Sequence, residues 1–326
     1  MSKIYDDFKS PGVYYRGKPF WSWNGKLEKD ELLRQVDVLK EMGFGGYFMH
    51  SRTGLVTEYL GEEWFELVNA VADKGEKLGL ENWLYDEDRW PSGTAGGFVT
   101  MNPDYSASYL RCETTDGRDF EFSDGDIIAF SCDMLPEKSE FAFTNDKIIT
   151  KDTPKSEYEG KTVISFCVEK AAKGSFYNGY TYVDTMNPEA IRRFIDLTHE
   201  KYADKCGGRI GSSICGIFTD EPHRGAVMCG FSTGSSKKPS WVTPYTPKLF
   251  EKFTEKYGYD LKERLPDLFL QRDGEKMSQV KWHYMDLAEE LFLKSFAVQI
   301  NDCVTTTVCS SRATFCTRIR SQRRLV

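Results

Sequence analysis

The sequence predicts an α/β fold, an incomplete (β/α)8 TIM-type barrel interrupted by an antiparallel β-rich lobe. Three observations predict it. The first hundred residues alternate short apolar runs with segments of helical spacing, a βαβαβ rhythm that implies a parallel sheet with its helices outside. From about residue 105 to 183 the rhythm changes to short strands separated by Asp-Gly turns. Two apolar runs, at 82–85 and 214–218, stop abruptly in acidic residues, and barrels carry their chemistry at the C-terminal ends of strands. An open Rossmann-type sheet is the competing architecture. A dinucleotide site is unsupported, because no GxGxxG follows the first strand.

The elements follow in order. Residues 19–24 (PFWSWN) read as the first strand. Residues 29–42 place Leu32, Leu33, Val36, Leu39 and Met42 at helical spacing, and Gly43 ends that helix. Residues 46–50 form the second strand. The helix at 62–78 turns Trp64, Phe65, Val68, Val71 and Ala72 inward and closes at Gly79, and 82–85 is the third strand. Within the lobe at 101–183, Asp116-Gly117 and Asp124-Gly125 mark turns between strands at 108–113, 127–131 and 162–168. Asn187-Pro188-Glu189 opens a helix reaching about Lys205, which Cys206-Gly207-Gly208 stops. Residues 214–218 are the fourth strand, 223–240 a Gly/Ser/Lys-rich loop, and 247–268 and 278–300 helices. Residues 1–302 thus make the N-terminal half of a barrel, with the lobe inserted.

Residues 303–326 break the trend. They hold five of the 43 basic residues, none of the 50 acidic ones, and no Gly or Pro. A basic tail for an anionic partner is one reading. A frameshift is the other: a single base restored near Cys303 permits a polar helix end, a Gly, then an apolar strand ending in His, Glu and Asp, as a fifth barrel strand should. Without that fifth strand, strands one and four are open edges that invite self-association.

Composition narrows the function. With 326 residues, 40% hydrophobic and 29% charged, the chain reads as an ordinary globular protein with a large core. A net charge of -7 argues against nucleic acid as a partner. No apolar run approaches membrane-spanning length, and no signal peptide is visible, so the expectation is a cytoplasmic protein. The nine cysteines form no CxxC pair, and Cys112, Cys132, Cys167, Cys206, Cys215 and Cys229 read as reduced thiols rather than zinc ligands.

The acids carry the chemistry. Glycoside cleavage needs one carboxyl group as acid and a second group as base or nucleophile. Glu221, ending an apolar strand and followed by Pro222, is the strongest catalytic candidate; an ordinary surface ion pair is its bland reading. Asp86, Glu87 and Asp88 crowd one strand end, where mutual repulsion raises at least one pKa. Asp86 and Glu87 are the catalytic candidates there, and Asp88 a substrate contact. The three could equally bind a cation such as calcium, or pair with Arg52 or Arg89 and merely order the loop. His50, ending the second strand, could hydrogen-bond a sugar hydroxyl or assist proton transfer, with a satisfied structural histidine as its bland reading. Asp220 is a further substrate-binding candidate. Trp21, Trp23 and Trp90 could stack on sugar rings, with core packing the bland reading for at least one of them. Asn24 is a further sugar hydrogen-bonder. His199 and His283 lie within helices and read as structural.

These motifs resemble a family. FWSWNGKLEKDELLRQVDVLKEMGFGGYFMHSRTGL, EEWFE, WLYDEDRWPSGTAGG and GIFTDEP look like the N-terminal half of glycoside hydrolase family 106, the α-L-rhamnosidase-like proteins. The resemblance covers residues 17–97 and 184–300. It implies a (β/α)8 catalytic barrel, inverting hydrolysis of a glycoside or oligosaccharide, and calcium near the sugar. It carries a catalytic carboxylate role to Glu221 and leaves the partner carboxylate unplaced. It also implies later strands and accessory β-domains that these residues do not include, and hence a fragment without turnover. A non-catalytic carbohydrate-binding protein, or an assembly module using the basic tail, are the alternatives.

Overall fold

The computed structural model describes residues 3–224, 240–308 and 314–318. A short helix, α1 (Lys3–Lys9), precedes β1 (Phe20–Gly25), α2 (Lys29–Glu41), β2 (Gly46–Leu55), α3 (Glu62–Lys77) and β3 (Glu81–Tyr85). The lobe follows as β4 (Ser108–Asp116), β5 (Asp126–Met134), β6 (Ala142–Ile149) and β7 (Thr162–Lys170). Helices α4 (Pro188–Leu197) and α5 (His199–Cys206) lead into β8 (Ile214–Asp220). Then come β9 (Ser240–Tyr245), α6 (Leu249–Tyr257), α7 (Pro266–Phe269), β10 (Gln271–Arg272), α8 (Gln279–Phe292), a π-helical stretch (Leu293–Val298), α9 (Gln299–Val308) and β11 (Thr314–Arg318).

The chain is α/β. One sheet has the order β1-β2-β3-β8-β11, and all its pairings are parallel. Period-2 alternation splits its side chains between two faces. Tyr47, Met49, Leu84 and Ile217 join Val36 of α2 and Trp64, Phe65, Val68 and Val71 of α3 in one core. Phe20, Phe48, Tyr85 and Phe218 line the other face. The Phe20 ring of β1 lies 4.9 Å from that of Phe218 in β8, although two strands separate them. Flat strands so placed would stand about 14 Å apart. The sheet is therefore curled into a half-barrel with an aromatic concave face.

Gly75 allows α3 to sit close on this sheet. Tyr47 Oη donates to the Val71 carbonyl at 3.1 Å, and Asn82 Nδ2 to that of Ala72 at 3.1 Å. A Cβ on Gly75 would fall 2.1 Å from Asn82 Oδ1.

The second sheet has the order β10-β6-β5-β7-β4-β9 and packs on α4, α6 and α8 in a separate core. It draws β9 and β10 from beyond residue 183, so the lobe is wider than the insertion read from sequence. Strand β6 was also missed: its middle, Thr144 to Lys147, is polar, and Asn145 interrupts it in the left-handed region. Pro244 hides β9, and sits where a proline is tolerated, on the sheet edge.

Three long helices differ from expectation. The one expected over 187–205 breaks at Thr198, whose hydroxyl donates to the Phe194 carbonyl at 2.7 Å. The one expected over 247–268 stops at Tyr257, capped by left-handed Gly258. The third continues past residue 300 through the π-helical stretch to Val308. Strand four is not an open edge, since β11 pairs with β8 in parallel; its Thr- and Phe-containing run suits a strand. Most of the Gly/Ser/Lys-rich loop, Cys229 within it, and residues 309–313 and 319–326 lie outside the described residues. Cys112, Cys132, Cys167, Cys206 and Cys215 are free thiols. Among the described residues no helix is long and apolar enough to cross a membrane.

Candidate functional site

Neighbouring strands β3 and β8 bring the two acidic runs together. Tyr85 is level with Phe218, and the Asp86 N–H donates to the Phe218 carbonyl at 3.2 Å. The segment after Asp88 then folds back over both strand ends, with Ser92 N–H donating to the Asp220 carbonyl at 3.0 Å.

The three acids ending β3 are all buried and have three different environments. Asp86 Oδ1 accepts from the Ser92 hydroxyl and Oδ2 from the Thr219 hydroxyl, each at 2.5 Å. His199 Nε2 is 3.6 Å from Oδ2. Burial, reinforced by the nearby carboxylates of Glu87 and Asp220 and opposed by the two hydroxyls, pushes Asp86 up to about 8. Burial lowers His199 to about 3, so its imidazole is neutral.

Glu87 is a loop organiser. Its Oε2 accepts from the backbone N–H groups of Gly93, Thr94 and Ala95 at 3.0, 2.7 and 2.9 Å. Its Oε1 accepts from those of Asp88 and Gly96 at 2.9 and 2.5 Å. Burial pushes the carboxyl up, to about 7, against the pull of these amides. Five N–H groups converging on two oxygens leave no room for a carboxyl proton, so the loop holds the ionised form. The same saturation corrects the expectation of a catalytic Glu87: no lone pair faces outward to take or deliver a proton.

Asp88 also differs from the substrate contact expected. Its Oδ1 accepts from the Ser51 hydroxyl at 2.6 Å, and Oδ2 from Asn178 Nδ2 at 2.9 Å and Arg89 Nε at 3.1 Å. It ties β2 and the lobe to the loop. Nor do these three side chains fit calcium, because hydroxyl, amide and guanidinium donors fill the positions a cation would need. Among the described residues no group of three or more His, Cys, Asp or Glu side chains is arranged to hold a metal ion.

On β8, Asp220 Oδ2 accepts from the Tyr85 hydroxyl at 2.9 Å and is partly exposed. Glu221 is partly exposed and has φ +41°, a left-handed backbone rare for a residue with a Cβ. His50 is buried with its ring 3.7 Å from that of Tyr85, and its Nδ1 has no hydrogen-bond partner. Burial, then the Arg52 charge, lowers it to about 4, so the ring is neutral. Trp90 is partly exposed, edge-on to Phe176 of the lobe at 6.4 Å. Asn24 is exposed at the end of β1. Trp23 corrects the expectation of a sugar-stacking ring. Only 1% exposed, it packs against Trp21 and Trp64 on the helix side of the sheet, because odd positions of β1 point there.

Sequence reasoning missed Ser92, Thr219, Tyr182 and Asn178, while His199, read as structural, is buried in α5 beside Asp86. Each missed residue is an ordinary hydroxyl or amide, and apart from the Ser92–Asp86 bond their partners lie far along the chain. The spacing of the sequence carries no signal for such pairs.

The sequence matches no protein-family model and no curated protein. Among solved structures, the fold is similar to the rhamnosidase from Novosphingobium sp. PP1Y. The TM-score is 0.59 at 11% identity, over 99% of this chain and 48% of that one. This chain therefore spans about half the length of that protein, and the likeness is one of fold.

Proposed function

We propose that this chain is the N-terminal half of a glycoside hydrolase barrel of the (β/α)8 type, with Glu221 as one of its catalytic carboxyl groups. The observation that carries the reading is the meeting of two acid-ended parallel strands, β3 and β8, at one end of a curled sheet. The rhamnosidase with a similar fold supports a glycoside-hydrolase-like reading. The α-L-rhamnoside as substrate and the narrower family 106 rest on the motif resemblance alone. Within the site, Glu221 handles the proton or the water, and Asp220, held by Tyr85, hydrogen-bonds the sugar. Asp86, protonated at neutral pH, supports the strand end from behind. Trp90 and His50 border the sugar, and Asn24 meets it from β1.

The partner carboxyl group of Glu221 is left unassigned, because Asp86, Glu87 and Asp88 are each held by donors of the neighbouring strands and the loop. A frameshift near Cys303 accounts for the composition of the tail, and the nucleotide sequence across residues 301–326 tests it. Self-association would run through β1 or β11, the two ends of the sheet order. The test of function compares this chain with a frame-restored, longer one on aryl α-L-rhamnosides and a panel of other aryl glycosides. Hydrolysis by the longer form that disappears in Glu221→Gln supports the reading. The locking of Asp86, Glu87 and Asp88 favours a second reading, carbohydrate binding without cleavage. Sugar binding by the longer form with no aglycone release would support that instead.

A further inference from the structure

The residues flanking Glu221 are gripped on both sides. The Asp220 N–H donates to Ser92 Oγ at 2.9 Å, and its carbonyl accepts from the Ser92 N–H at 3.0 Å. Beyond Pro222, the His223 N–H donates to the Tyr182 hydroxyl at 3.3 Å, and its carbonyl accepts from Thr185 Oγ1 at 2.8 Å. The two grips are joined, since the Tyr182 hydroxyl donates to the Ser92 carbonyl at 2.9 Å. The Tyr182 ring also stacks on the His223 imidazole, 4.3 Å away at 22°. Ser92 is anchored in turn by its bond to Asp86, and both Ser92 and Tyr182 are buried.

Between these grips Glu221 holds φ +41°. Its own Cβ opposes that conformation, and Pro222 disfavours a helical-type backbone in the residue before it. Such a conformation persists only where the surroundings over-determine it. We propose that Ser92 and Tyr182 are positioning residues. They form a clamp that imposes the left-handed backbone on Glu221 and so fixes the direction in which its carboxyl leaves the strand. This deepens the functional reading and rests on it, because the aim of that carboxyl matters only if Glu221 meets substrate.

The test is a double-mutant cycle on the chain itself, read by urea unfolding. Glycine accepts a positive φ without strain, so Glu221→Gly raises the folding equilibrium constant about fivefold in the parent chain. In a Tyr182→Phe or Ser92→Ala background the backbone can relax, and the gain falls below about twofold. Tyr182→Phe keeps the ring and removes only the hydroxyl, so the cycle survives if Ser92→Ala does not fold. In chain labelled with 13C at glutamate carboxyls, the Glu221 resonance is identified by its loss in Glu221→Gln. It shifts in Tyr182→Phe while the other glutamates stay in place. An additive cycle or an unshifted Glu221 resonance overturns the clamp. Turnover surviving Glu221→Gln in the longer form would instead sink the catalytic reading and leave the clamp standing.

Discussion

Glu87→Gln separates a loop organiser from a catalytic acid, and its cost follows from the hydrogen bonds. The carboxylate accepts five backbone N–H groups, three on Oε2 and two on Oε1. Glutamine has one carbonyl oxygen. Its best orientation keeps the three donors of Gly93, Thr94 and Ala95 and turns an NH2 toward those of Asp88 and Gly96. Two charge-assisted bonds are lost, each contributing about 1.5–3 kcal/mol, so the variant loses about 3–6 kcal/mol. That is a large share of the roughly 5–15 kcal/mol that holds a typical domain. Urea unfolding at neutral pH, followed by circular dichroism, measures it, with Glu137→Gln at an exposed position as control. A catalytic acid facing substrate would cost little stability on amidation. A loss below about 1 kcal/mol would therefore refute the five-donor account and restore Glu87 as a candidate for chemistry.

Three further outcomes are expected. Asp86 has its folded pKa raised to about 8 from an ordinary 3.8, so the stability it contributes is complete below about pH 4 and lost as pH rises through about 8. Asp86→Asn removes that dependence and gains on the parent chain between about pH 5 and 9; parallel stability curves would contradict the buried, protonated assignment. Trp23→Ala costs about 3–5 kcal/mol in unfolding while leaving sugar affinity of the longer form intact, because the ring lies in the core rather than the site. Gly75→Ala, which helix propensity alone would make stabilising by about 1 kcal/mol, destabilises instead by about 1–3 kcal/mol through its overlap with Asn82 and Tyr47; a gain in urea midpoint would refute the close approach.

The half-barrel was legible because its information is local. Leu32 and Val36, or Trp64, Phe65 and Val68, sit at helical spacing, and each helix ends near a glycine. The two acidic strand ends were equally plain. What the sequence hid is long-range. Strand β9 looks like loop because Pro244 and its polar neighbours become strand-compatible only on the edge of the lobe sheet. The π-helical stretch leaves no trace in residue types. Within the site, DED reads as three equivalent acids. The fold distinguishes them through Ser92 and Thr219 for Asp86, five amides for Glu87, and Ser51 and Asn178 for Asp88. Trp21 and Trp23 likewise gave no clue to which sheet face they occupy until the helix layer was placed.

The central claim is that Glu221, at the junction of two acid-ended strands, is a catalytic carboxyl group of a glycosidase barrel. It is tested most directly by the rate of aryl α-L-rhamnoside hydrolysis in the frame-restored, longer protein, with and without Glu221→Gln. The account predicts turnover in the first and a loss of at least about a hundredfold in kcat in the second, the scale expected for a positioned acid or base. Equal rates in the two proteins, or no hydrolysis by the longer form of any aryl glycoside on the panel, would contradict it.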